Sequence, residues 1–224
     1  MGKVVEKIRI WPFLQTLPER MAGFTLTREL QQCDTQFKIF TYEKPEQHRF
    51  FSVLYDAATE DFLSRVTIGL TEYYDLNFIV NDLPSLETVL AAKMERLLIG
   101  LTQFEKSEIS SAFLEKKITE WDFSALSAEV AGFSLFIRPA EPIKVINGSF
   151  AIIDYSDFQA ASNLIIYYNV FRDDFYGEIH LRRLPRTIGL FDARTLPDLI
   201  ERLNLHLLPV LEQMRCELNA AGDA

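Results

Sequence analysis

The most concentrated run of chemistry-bearing side chains is His180-Leu-Arg-Arg-Leu-Pro-Arg186. An imidazole beside the guanidinium groups of Arg182, Arg183 and Arg186 can receive a phosphate or an acidic peptide, because the planar fork of arginine matches an oxyanion. The competing reading is a solvated strand end, in which His180 shares a polar row with Glu178 and Arg182. A second candidate is the pair of tyrosine doublets, Tyr73-Tyr74 and Tyr167-Tyr168. Neighbouring residues of a strand point to opposite faces, so one tyrosine of each doublet leaves the helix-covered face. Aromatic rings on an uncovered sheet face can bind a partner or an apolar ligand; packing within the sheet would use them equally well.

Nothing else in the chain forms a linear catalytic motif. His48 lies in a polar loop and His206 flanks an apolar helical stripe, so the three histidines are far apart. No spacing of His, Cys, Asp and Glu fits a zinc or calcium site. Glycines such as Gly132, Gly148, Gly177 and Gly189 are scattered singly, so there is no phosphate-cradling loop, and no nucleophile elbow occurs. We expect no cofactor, no metal and no catalysis recognisable from sequence.

The elements that must position these residues come twice. Trp121–Phe136, WDFSALSAEVAGFSLF, echoes Trp11–Leu26, WPFLQTLPERMAGFTL. After this restart Tyr42 matches Tyr155, Tyr55 matches Tyr168, and Leu86 and Leu101 match Leu196 and Leu211. A spacing of roughly 110 residues is the size of a domain, not of a solenoid unit. The chain is therefore read as an internal duplication of an α+β domain, over 1–110 and 111–224. Each copy is expected to hold a short N-terminal helix, an antiparallel β-meander of about five strands and a long C-terminal amphipathic helix packed on the sheet.

In the first copy the short helix is placed at Trp11–Ala22, with Gly23 as its stop, and the strands at Phe24–Glu29, Gln36–Tyr42, Phe50–Asp56, Arg65–Thr71 and Leu76–Val80. In the second copy the short helix is placed at Trp121–Ala131, with Gly132 as its stop. Its strands are placed at Phe133–Arg138, Ser149–Tyr155, Leu164–Asn169, Glu178–Arg182 and Thr187–Phe191. Most alternate with period two, as half-buried antiparallel strands do. Leu164–Tyr168 is apolar on both faces and is expected at the centre of its sheet. Asn147-Gly148 reads as a tight turn. Apolar stripes at helical spacing run through Leu86, Val89, Leu90, Met94, Leu97, Leu98 and Leu101, and through Leu196, Leu199, Ile200, Leu203, Leu207, Leu208 and Leu211. Ser85 and Thr195 are expected to cap these helices, and Pro209 to kink the second. Phe104–Lys117 reads as a helix-compatible extension of the first long helix, and Asn219–Ala224 as a fraying tail.

Composition narrows the function classes. The chain of 224 residues has 48% hydrophobic residues and 18 phenylalanines, enough for a sizeable core. Its net charge of −9 disfavours phosphate-backbone and anionic-membrane binding, which need clustered Lys and Arg. No run reaches the length of a membrane span, and the N-terminal residues lack a signal-peptide core. Cys33 and Cys216 are read as free thiols of a cytoplasmic protein. The expected function is a non-enzymatic protein-binding module of adaptor, chaperone-like or inhibitor type, a monomer or homodimer, in which the two copies can pair like a fused dimer. The alternative is a small-molecule-binding protein or enzyme with its site between sheet and helix or at the repeat interface.

Overall fold

The computed structural model describes residues 2–104, 110–146 and 148–220. The chain is α+β and divides into two units, Met1–Gln103 and Phe104–Ala224. The expectations for Asn147, the tail 221–224 and the middle of the linker, 105–109, lie outside the described residues.

The first unit opens with two short helices, α1 (Gly2–Arg9) and α2 (Phe13–Thr16). Seven strands follow: β1 (Arg20–Met21), β2 (Phe24–Thr27), β3 (Gln31–Cys33), β4 (Gln36–Lys44), β5 (Arg49–Asp56), β6 (Asp61–Ile68) and β7 (Thr71–Tyr74). All pair antiparallel, in the order β1-β2-β4-β5-β6-β7, with β3 also on β4. Helix α3 (Leu83–Thr102) ends the unit beside β6. Its buried stripe is Leu86, Leu90, Met94, Leu98 and Leu101, as the helical spacing requires.

The second unit repeats this plan. A short helix α4 (Ser111–Glu115) precedes β8 (Glu129–Val130), β9 (Phe133–Ile137), β10 (Ile143–Lys144), β11 (Ser149–Asp157), β12 (Ser162–Asn169), β13 (Asp174–Leu181) and β14 (Leu184–Ala193). The order is β14-β13-β12-β11-β9-β8, with β10 on β11. Helix α5 (Leu196–Ala220) packs on the sheet, burying Leu199, Leu203, Leu207, Val210, Leu211, Met214 and Leu218 against Phe150, Tyr155, Leu164, Ile166, Tyr168 and Phe175. Every residue of β12 is buried, which is what its two apolar faces and its neighbours on both edges demand.

Each sheet has seven strands where about five were expected. In each unit two short strands share one edge of a long strand: β2 and β3 on β4, and β9 and β10 on β11. An irregularity in the long strand separates them, at Ile39 in one unit and Ile152 in the other. Strands of two or three residues are too short to show alternation, so β1, β3, β8 and β10 leave no periodic signal.

Several local expectations are corrected. Gly23 and Gly132 do not stop helices. They are the second residues of two-residue hairpin turns, with φ of +82° and +79°, after Ala22 and Ala131 at +50°. Positive φ at both central residues gives the turn the twist a two-residue hairpin needs. Trp121–Ala131 holds no helix, because the Asp122 carboxylate accepts the Ser124 N–H and draws the backbone into turns. Leu76–Val80 is not a strand: Asp75 accepts from the Asn77 N–H and starts a 3-10 turn at Leu76–Phe78, leaving Val80 as an isolated bridge to Phe62. Helix α3 is capped by Asp82, one turn ahead of Ser85, and it ends at Thr102 instead of running on, with Ser110 capping the separate α4. Leu208 is 53% exposed, off the buried stripe of α5. Pro209 lies inside α5. Among the described residues, no helix is long and apolar enough to cross a membrane.

Candidate functional site

Register explains what His180 meets. On the face of the second sheet away from α5, Ser156 pairs across to Asn163 and Asn163 to His180, while Asp154 pairs to Ile165 and Ile165 to Glu178. These polar side chains join into one row. Ser156 Oγ donates to Asp154 at 2.7 Å, and Asn163 Nδ2 donates to both oxygens of the same carboxylate at 3.2 Å. The amide oxygen of Asn163 then faces His180 Nδ1 at 2.9 Å. An amide oxygen only accepts, so Nδ1 carries the proton and the tautomer is set by the row. His180 Nε2 lies 3.5 Å from Glu178. Asp154 and Asn163 are buried and His180 is half-buried, so the row runs inward from His180, which keeps the expected pairing with Glu178 but not with Arg182. Chemically the row orients an imidazole; its hydroxyl, Ser156, points at Asp154.

Two of the arginines near His180 make bonds at the end of α5. Arg182 and Arg183 are the two residues of the β13–β14 turn, at φ of +51° and +68°, so Arg182 is not on the strand face. The Arg182 guanidinium donates to the Leu218 carbonyl at 3.2 Å, and Arg186 pairs with Glu217 at 3.0 Å. Both therefore serve the last turn of α5, where carbonyls lack intrahelical partners and the helix dipole favours cations. Arg186 is also the first cause, before Gln213, that holds the Glu217 carboxyl below its usual range.

The tyrosine doublets split between faces. Tyr168 joins the core; its hydroxyl donates to Asp173 at 2.7 Å, and burial, aided by that carboxylate, pushes its pKa up. Lys116 binds the same carboxylate at 2.8 Å and donates to the Arg194 carbonyl, so α4 is tied to the strand end. Tyr167 is on the opposite face, stacked on Tyr176 with centroids 5.0 Å apart, and Arg172 lies over the Tyr176 ring. In the first unit Tyr73 pairs with Val66 and its pKa is raised, chiefly by burial. Tyr74 pairs with Arg65 and accepts from Gln36.

The structure brings together a different set of side chains, none of them among the expected site residues. An open groove of about 800 Å³ lies beside β13, β14 and the first half of α5. A break in the β13–β14 ladder accompanies it. Gly177 pairs with Ile188 but Phe175 pairs with Ala193, so Gly189–Asp192 stand out of register. Phe191 turns into the core, its ring against Gly177, where an added Cβ would come within 2.9 Å. The groove walls carry Thr187 and Asp192 from β14, and Asp198, Glu201, Arg202 and Leu205 from α5. Arg172, paired with Asp174 at 3.0 Å, belongs to the lining, as does Arg194. Arg202 donates to the Leu190 carbonyl at 3.3 Å. One large apolar side chain of the lining, Leu205, is 60% exposed.

Strand β14 is the edge of its sheet. Residues flanking a two-residue turn exchange both hydrogen bonds, so alternation turns the backbone of Pro185 and Thr187 outward. Pro185 has no N–H, and Arg202 covers the Leu190 carbonyl, so this edge is blunted against strand addition. The groove therefore presents side chains, not an open strand edge. No linear motif could have shown the groove, because it depends on the ladder break at Gly177 and on which face of α5 meets the sheet.

Among the described residues, no three His, Cys, Asp or Glu side chains converge to hold a metal ion. Fold and site together define an α+β protein of two antiparallel-sheet units with a charged groove on the second. No protein-family model, curated protein or solved structure matches the chain.

Proposed function

We propose that this chain is a non-enzymatic protein-binding module, and that the groove of the second unit receives an extended segment of a partner protein. The observation that carries this reading is the groove itself: about 800 Å³, open, walled by charges of both signs and lined by exposed Leu205. A mixed wall of this kind suits side chains of a polypeptide, with apolar anchors and a polar rim. The row around His180 supports the reading from the other side, since it orients an imidazole without arming a nucleophile.

The two units are proposed to descend from one sequence by duplication. Identical strand order, paired irregularities at Ile39 and Ile152, matching Ala-Gly turns, and the bonds from Tyr42 to the Pro18 carbonyl and Tyr155 to the Ser127 carbonyl, both 2.7 Å, support this.

Site-directed photo-crosslinking tests the binding reading. A photoreactive residue at Thr187 or Leu205 should capture a defined peptide of one partner from native lysate, and the same group at Glu141 should not. Labelling that is equal at all three positions, or absent from all, overturns it.

A further inference from the structure

We infer that the segment received by the groove is cationic, carrying arginine or lysine side chains that pair with Asp192, Asp198 and Glu201. This rests on the reading of the groove as the binding site. Most of the positive charge in the lining is already engaged. Arg172 is held by Asp174 and lies over the Tyr176 ring, and Arg202 is bound to the Leu190 carbonyl. Arg194 has no side-chain hydrogen bond or ion pair among the described residues, which leaves one such arginine in the lining against three carboxylates. The three other carboxylates of the lining are different. Among the described residues, neither Asp192, Asp198 nor Glu201 has a side-chain hydrogen bond or ion pair. They come from both walls, Asp192 from β14 and the other two from α5. A concave surface focuses their field, and the net charge of −9 adds long-range attraction for a basic partner. An acidic segment would meet these carboxylates with few free donors to offset them.

The test uses the full chain and a labelled short peptide of alternating arginine and serine, read by fluorescence anisotropy at low and moderate salt. Asp198 is kept, because an acid in the first turn supports α5. The variant Asp192→Asn/Glu201→Gln is compared with the charge-matched Glu141→Gln/Glu212→Gln, after circular dichroism and melting show both folded as the parent. Loss of two charge-assisted pairs should weaken binding about tenfold in the first variant and less than twofold in the second. Equal weakening in both would mean attraction by net charge alone and would overturn the inference, as would failure of the parent chain to bind the peptide. If a glutamate-for-arginine peptide binds in the groove instead, the cationic segment is wrong while the groove remains the site. If crosslinks at Thr187 and Leu205 vanish as well, the binding reading itself has failed.

Discussion

Tyr42 and Tyr155 hold corresponding places, and each donates from a buried ring to a backbone carbonyl at 2.7 Å. Burial pushes both phenols up from 10.0 to about 12. A raised pKa favours the protonated form in the folded state. The contribution is therefore complete below pH 10 and is lost as pH climbs to about 12, because the unfolded chain ionises first. A Tyr42→Phe/Tyr155→Phe variant should lose about 1 kcal/mol per site at neutral pH through the missing hydrogen bonds. Its urea midpoint should then fall less steeply than the parent's across that alkaline window; parallel declines would show that the phenols contribute nothing there. Gly177 supplies the second residue-scale prediction. A Cβ would sit 2.9 Å from the Phe191 ring and 3.1 Å from Ile188. Gly177→Ala should therefore cost about 1–3 kcal/mol through overpacking, measurable by the same titration. Neither role is legible from residue type alone. A tyrosine in a strand does not announce the carbonyl it will meet, and a lone glycine does not name the ring that needs its space.

Long elements were the most legible part of the chain. The stripe from Leu86 to Leu101 and the run Leu164–Tyr168 sit where their periodicities place them, since burial of a helix stripe or of a two-faced strand follows from hydrophobic pattern alone. Element ends were less legible, because short polar residues compete for backbone groups and the winner depends on one or two bonds. Asp82, not Ser85, accepts the free N–H at the start of α3 and receives the Ser85 hydroxyl as well. Asp82→Ala should lower stability by about 1 kcal/mol, and Ser85→Ala by less, in thermal unfolding followed by circular dichroism. The reverse ranking would return the cap to Ser85. The groove was illegible for a related reason. Asp192, Glu201 and Arg202 read as ordinary solvated charges until the ladder break at Gly177 and the packing of α5 set them around one concavity.

Taken over the whole chain, hydrogen-bonding position should rank the strands by stability. Strand β5 pairs along its full length with β4 and β6, and β12 pairs along its full length with β11 and from Asn163 to Asn169 with β13. Opening either requires both neighbours to part, whereas β1, β7, β8 and β14 lie at sheet edges and β3 and β10 are short strips on one neighbour. Local opening free energies run from near zero at frayed edges to the global value in central strands. Hydrogen exchange read by mass spectrometry should therefore leave peptides from β5 and β12 protected longest. Within the second sheet, Gly189–Asp192 should exchange early, because these residues stand out of register with β13. Under the proposed binding reading, that early opening would let the segment beside the groove adjust to an incoming chain while Phe191 stays anchored in the core. If β14 is instead protected as long as β12, then β14 is not a free edge in solution. The groove beside it would then have to be sought in an assembled state.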